Sequence, residues 1–166
     1  MRPSELAFVR VEPGPEGSKA SLSMEALVSL PKDPEILLRT AVDVYMRHLE
    51  ALRQMLSAMR SLRERRQLLP ARNMWRFGDA VFRLRDALAR ESLQLDGLYA
   101  HLTRDLGVKR KWLEKAVIFR RYVPRQSLIP LALNWGQCEK GTRRIAEQLS
   151  RRCTPRKSAS GNSRPR

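Results

Sequence analysis

Cysteine and histidine are the scarcest chemistry-bearing residues in this 166-residue chain, with two of each: Cys138, Cys153, His48 and His101. The cysteines stand far apart and in no CxxC or Cys/His spacing, which argues against a disulfide framework or a zinc site and fits the reduced thiols of a cytoplasmic protein. His101 and Asp105 lie one helical turn apart, but two ligands make a poor metal site, so a surface or capping role is expected and no metal. No apolar run approaches the ~18 residues of a membrane span and no leader-like stretch opens the chain, so neither membrane nor secretion is expected. A glycine-rich phosphate loop, a Ser or Cys nucleophile beside a base, and a carboxylate cluster are all missing. Glu114-Lys115 and Glu139-Lys140 resemble the end of a nuclease carboxylate-lysine motif, yet both fall in helical patterns without a strand or a preceding Asp. The sequence predicts neither an enzyme nor a cofactor.

Acids are few as well. Asp and Glu number 17 against 33 Lys and Arg, a formal net charge of +16 and a pI near 11.2, well beyond what solubility asks for. A polyanionic partner is the first expectation. Evenly scattered surface arginine would spread the excess along the chain. Instead, residues 98–126 carry a net +6, residues 151–166 carry another +6, and residues 1–32 are neutral.

Convincing strand patterns are lacking too, and the periodic stretches are helical. The prediction is an all-α fold of about five helices, a long N-terminal helix in a hairpin or coiled coil followed by a helix-turn-helix-like unit. Residues 1–32 contain EPGPEGSKASLS, too poor in apolar surface to offset the entropy of ordering. They are predicted largely disordered, with LSMEALVSL a candidate short docking helix. Residues 33–150 are predicted to form one helical domain and residues 151–166 a disordered basic arm.

Asp33 is a good N-cap, Pro34 suits the first helical position, and no Gly or Pro follows until Pro70, which predicts a long helix over 33–69. Along it Leu38, Val42, Tyr45, Leu49, Leu52, Leu56 and Met59 keep a/d spacing for about three heptads. Such a seam wants a partner helix. Residues 73–91 supply one, through Met74, Phe77, Val81, Leu84 and Leu88, and a second copy of the chain would supply another. Because the second helix is much the shorter, a homodimer or a protein partner along the uncovered seam is one expectation.

Residues 98–122 fit a helix-turn-helix at several positions, each for a steric reason. Leu102 and Leu106 face inward, Gly107 makes the turn, Val108 fills the angle, and Leu113 with Ala116 or Val117 seats the second helix. Thr103 stands where many such motifs carry Ala. The candidate nucleic-acid contacts are Lys109, Arg110, Lys111 and Lys115 on the leading face, near Glu114, with Arg120, Arg121 and Arg125 as flanking clamps. Trp75, Trp112 and Trp135 each fall on or beside an apolar stripe, so core packing is expected of them before base stacking. Asn134 is the N-cap candidate of a last helix over 134–150.

The order MWRFGDAVFRL, LYAHLTRDLGVKRKWLEKAVIFRRY, LALNWGQCEKGTRRI resembles the N-terminal helical domain of bacterial YhcG-type PD-(D/E)XK nucleases. There a Trp-x-x-Gly helix, an LSxDLG-like helix-turn-helix and an L-x-W segment follow in this order. Trp75 and Gly78, then Leu102, Asp105, Leu106 and Gly107, then Phe119, then Leu133 and Trp135 match, within residues 74–149. Only a basic tail follows Leu149, so the resemblance implies a helical DNA- or partner-binding module without the nuclease domain, and it lends no catalytic residue. The sequence thus points to a non-enzymatic nucleic-acid-binding protein, with duplex DNA preferred over RNA. Its alternative is a helical scaffold or adaptor that binds a partner or itself through the seam.

Overall fold

The computed structural model describes residues 7–14, 17–22 and 33–151. Asp33 begins the longest element as expected: its carboxylate accepts the backbone N–H of Glu35 at 2.9 Å, and Pro34 occupies the first helical position. This helix, α1 (Pro34–Glu64), is followed by α2 (Ala71–Arg90), α3 (Leu98–Leu106), α4 (Arg110–Tyr122), α5 (Trp135–Glu139) and α6 (Thr142–Arg151). The helices make the protein all-α in class, and α1 with α2 forms the expected hairpin.

The helix ends are set by backbone hydrogen bonds. α1 stops five residues short of 69, where Arg66 takes a left-handed conformation (φ 56°) and the N–H groups of Arg66 and Gln67 bond to the carbonyls of Arg63 and Leu62. Gly107 (φ 63°) ends α3 in the same manner, with Val108 N–H bonding to Thr103 O at 3.1 Å. The stretch expected as one last helix is two. Asn134 and Gln137 form a capping box at the start of α5, and the chain breaks after Glu139 before α6 begins.

Three short strands accompany the helices, and two of them lie at residues 7–14 and 17–22, within the segment expected to be largely disordered. β1 (Ala7–Gly14) and β2 (Gly17–Leu22) pair antiparallel from Val9↔Leu22 to Gly14↔Gly17, and β1 also pairs in parallel with β3 (Leu93–Leu95). In β3, Leu93 and Leu95 are buried and Gln94 is exposed, the period of two expected of a half-buried strand. Apart from Leu22, the LSMEALVSL stretch lies outside the described residues, and so does the tail after Arg151.

The sheet lies against α1 and changes how its seam is understood. Tyr45, Leu49, Leu52, Leu56 and Met59 are buried as the heptad spacing predicts, but toward the N-terminus the buried positions are Leu37 and Ala41, while Leu38 and Val42 are only half-buried. The stripe closes within one chain, against α2, α3 and the sheet. Of the residues expected to form a dimer or partner seam, Tyr45, Leu49, Leu52, Leu56 and Met59 are buried within the chain, whereas Leu38 and Val42 are half-buried. What looked uncovered in the sequence is covered by the very segment assigned to disorder.

Candidate nucleic-acid interface

The turn at Gly107 is built as the sequence predicts. Leu102, Leu106, Leu113, Ala116 and Val117 are buried, and Val108 packs against the core beside them. The closest neighbour of α4, however, is α2. Gly78 lies directly beneath the Ala116 backbone, and a Cβ there would collide with the Ala116 carbonyl and come within 2.9 Å of Arg120 Cβ. A side chain at 78 would hold the two helices apart, so this glycine sets how deeply α4 sinks and which of its residues stay outside.

Arg120 is one that does not stay outside. Its Nε lies 2.6 Å from Asp79 Oδ1, and its guanidinium sits over the Trp75 ring at 4.7 Å and the Phe82 ring at 5.6 Å. Asp79 is itself buried and also pairs with Arg83 at 2.9 Å. A buried carboxylate needs hydrogen-bonded cations, and Arg120, the less exposed of the two, is one of them. Expected as a flanking phosphate clamp, Arg120 is engaged in a contact between α2 and α4.

The other predicted contacts are exposed or half-exposed, and they fall into two groups. Arg110 and Arg121, about three helical turns apart, share one edge of α4. With Arg85 they line a cleft of about 500 Å³ against α2, β3 and the start of α3, in which Asp86 is the one lining acid. Lys111 and Lys115 lie along the other edge. With Lys109, Arg60 and Arg63 they line a groove of about 640 Å³ between the end of α1 and the start of α4, in which Glu139 is the one lining acid. Arg125 is exposed beyond the C-terminus of α4.

Partners within the chain modulate this charge. Arg110 bonds to Glu114 at 2.8 Å and Lys115 lies 3.5 Å from Glu139. Arg63, Lys109, Lys111 and Arg121 make no ion pair among the described residues. No side chain caps the N-terminus of α4, so its backbone N–H groups add positive potential beside Lys109.

Arg60, Arg63 and Arg85 are the residues that the sequence did not single out. Residues 60–66, RSLRERR, carry a net +3, but the acids of the first half of α1 dilute that charge when the helix is taken whole. Arg85 gave no signal, because only the packing of α2 on α4 brings it beside Arg121.

The remaining chemistry is structural. Tyr45 OH donates to Asp105 Oδ2 at 2.6 Å and Arg104 Nε donates to Oδ1 at 2.9 Å. Burial pushes the Asp105 carboxyl up, but the hydrogen bonds from Arg104 and Tyr45 outweigh it and hold the group below its ordinary value. Burial, and then the nearby Arg104, lower the pKa of His101. Burial alone pushes the Cys138 thiol up to about 11, as befits an unreactive core cysteine. Trp75 Nε1 donates to Val123 O at 2.7 Å and Trp135 is buried against Phe119, in keeping with packing roles. Among the described residues there is no group of three metal-ligating side chains and no helix long and apolar enough to cross a membrane.

Comparison with protein-family models, with curated proteins and with solved structures finds no match.

Proposed function

We propose that the protein binds nucleic acid without acting on it, duplex DNA in the first place, with α4 as the contact helix. The observation that carries this is the pair of basic clefts on opposite edges of one helix: eight cations line them against Asp86 and Glu139. A helix that approaches a major groove has a phosphate backbone on each side, and cations on both edges suit that arrangement. The order of motifs shared with YhcG-type helical domains supports the same reading, as does the basic stretch from Arg151 onward. Exposed Arg110 and Lys111 are the side chains nearest to base edges under this proposal, and the others hold phosphate.

An electrophoretic shift assay with a blunt duplex at low salt tests it. Arg63→Ala with Lys109→Ala and Lys111→Ala removes three of the five cations on one edge, and Arg85→Ala with Arg121→Ala removes two of the three on the other. Each set is expected to weaken binding at least tenfold, and the two together to abolish it. Binding that survives both sets unchanged overturns the proposal.

A further inference from the structure

The two basic clefts differ in their floors. Both carry apolar residues, but only the one that contains Lys109 includes a strongly exposed leucine and a tryptophan: Leu56, Met59, Leu68, Leu69, Val108 and Trp112 line it together with its five cations. Leu56 and Met59 belong to the core, but Leu68 is 74% exposed, on the loop that follows α1. Trp112 is half-buried, and its indole is fixed by an edge contact with Phe77 at 5.0 Å between centroids. Phosphate contact alone needs no such floor, and an exposed leucine beside a tryptophan forgoes burial that the core does not reclaim.

Cations beside exposed apolar and aromatic side chains match a ligand with an anionic edge and a flat apolar face. A base inside a duplex hides that face by stacking, whereas an unpaired nucleotide presents it beside its phosphate. At about 640 Å³ the groove is within the range of clefts that take small ligands. We infer that this groove takes an unpaired nucleotide, with its base over Leu68 and Trp112 and its phosphates against Arg63, Lys109 and Lys111. The preferred substrate is then DNA with a single-stranded end next to duplex. This rests on the nucleic-acid-binding role proposed above and adds the class of DNA structure to it.

Fluorescence anisotropy with a blunt duplex and the same duplex carrying a short single-stranded overhang separates the two. The wild type is expected to bind the overhang about tenfold more tightly, the gain that stacking of one base provides. Leu68→Ser, which changes no charge, should lose that preference and keep blunt-duplex binding, while Leu131→Ser, 79% exposed and outside the groove, should keep both. A 5-bromouracil in the overhang should crosslink to peptides that contain Leu68 or Trp112. Equal binding of the two DNAs, a preference that survives Leu68→Ser, crosslinks only elsewhere, or displacement of the overhang by oligoglutamate of equal charge at equal concentration each overturns the inference. Equal binding leaves the duplex-binding role standing, whereas a wild type that binds neither DNA removes both.

Discussion

Tyr45 and Asp105, sixty positions apart, meet at 2.6 Å with the phenol donating to the carboxylate. This contact ties the middle of α1 to the last turn of α3, and Arg60 adds a second tie by donating to Leu106 O at 3.4 Å. α3 has nine residues, too few to be stable alone, so its place depends on such contacts. The Gly107 turn follows directly, and with it the separation of Lys109 from Arg60 and Arg63.

Replacement of Tyr45 by Phe is expected to destabilise the fold by about 2 kcal/mol, because it removes one donor to a largely buried carboxylate. The pH dependence has two limbs. Asp105 is held below its unfolded value of about 4, so its contribution is complete above that pH and is lost as the pH falls through the native value. Burial first, and then the Asp105 hydrogen bond, raise the Tyr45 hydroxyl above its usual range, so its contribution is complete below about pH 10 and is lost as the pH rises. Urea unfolding across pH should show a flatter alkaline limb in Tyr45→Phe and a flatter acid limb in Asp105→Asn. Unchanged limbs in both would remove this contact from the account of stability.

Two glycines should respond differently to alanine. At Gly78 the new methyl meets the Ala116 backbone, which cannot step aside without lifting α4, and a loss of about 2 kcal/mol or more is expected despite the better helix propensity of Ala. At Gly107 nothing lies within 4 Å of the new methyl, so only the left-handed backbone (φ 63°) resists, at about 1 kcal/mol. Thermal unfolding of the two variants should rank them in that order. Equal losses would mean that the close approach of α2 and α4 is not tight.

The seam gives a third prediction. Leu49 and Leu52 are buried within one chain, at 1% and 0% exposure, so Leu49→Glu with Leu52→Glu should unfold the protein rather than split a dimer. Circular dichroism should report loss of helix, and the wild type should sediment with no change attributable to the seam over a wide concentration range. A folded double variant of halved mass would restore the seam as a subunit interface.

The same helix shows where the sequence was legible and where it was not. The N-cap at Asp33, the stripe from Tyr45 to Met59, the Gly107 turn and the Asn134 cap all have local causes, and the structure has them where local chemistry puts them. The N-terminal strands do not, since β1 is held partly by β3, which lies some eighty residues away and is three residues long. Without that pairing the segment read as disorder, α1 looked partly bare, and a dimer or partner became one expectation. Arg66 and Ser92 end turns in left-handed conformations without being glycine, which left no mark at the ends of α1 and α2. In the candidate interface, Lys109, Lys111, Arg110 and Arg121 stood out as a charge run. That Arg120 belongs to Asp79 was hidden, because the two are 41 positions apart.

That division of labour among neighbouring arginines yields the last prediction. Arg120→Gln removes the less exposed of the two cations that pair with Asp79, leaving Arg83, and is expected to cost about 2 kcal/mol of stability. Its effect on duplex affinity should be small once the comparison is made where the variant is folded. Arg121→Gln, one residue on, is exposed and should leave stability nearly unchanged while weakening binding. The salt dependence distinguishes a phosphate contact from an indirect effect. Each phosphate that a cation neutralises adds about −0.9 to the slope of log Kobs against log salt, so Arg121→Gln should flatten the slope by about one and Arg120→Gln should leave it alone. Binding isotherms from low to moderate salt, beside urea titrations of the same preparations, measure both quantities. If Arg120→Gln flattened the slope and Arg121→Gln did not, the Asp79-paired arginine would be the phosphate ligand and the assignment of both residues would have to be exchanged.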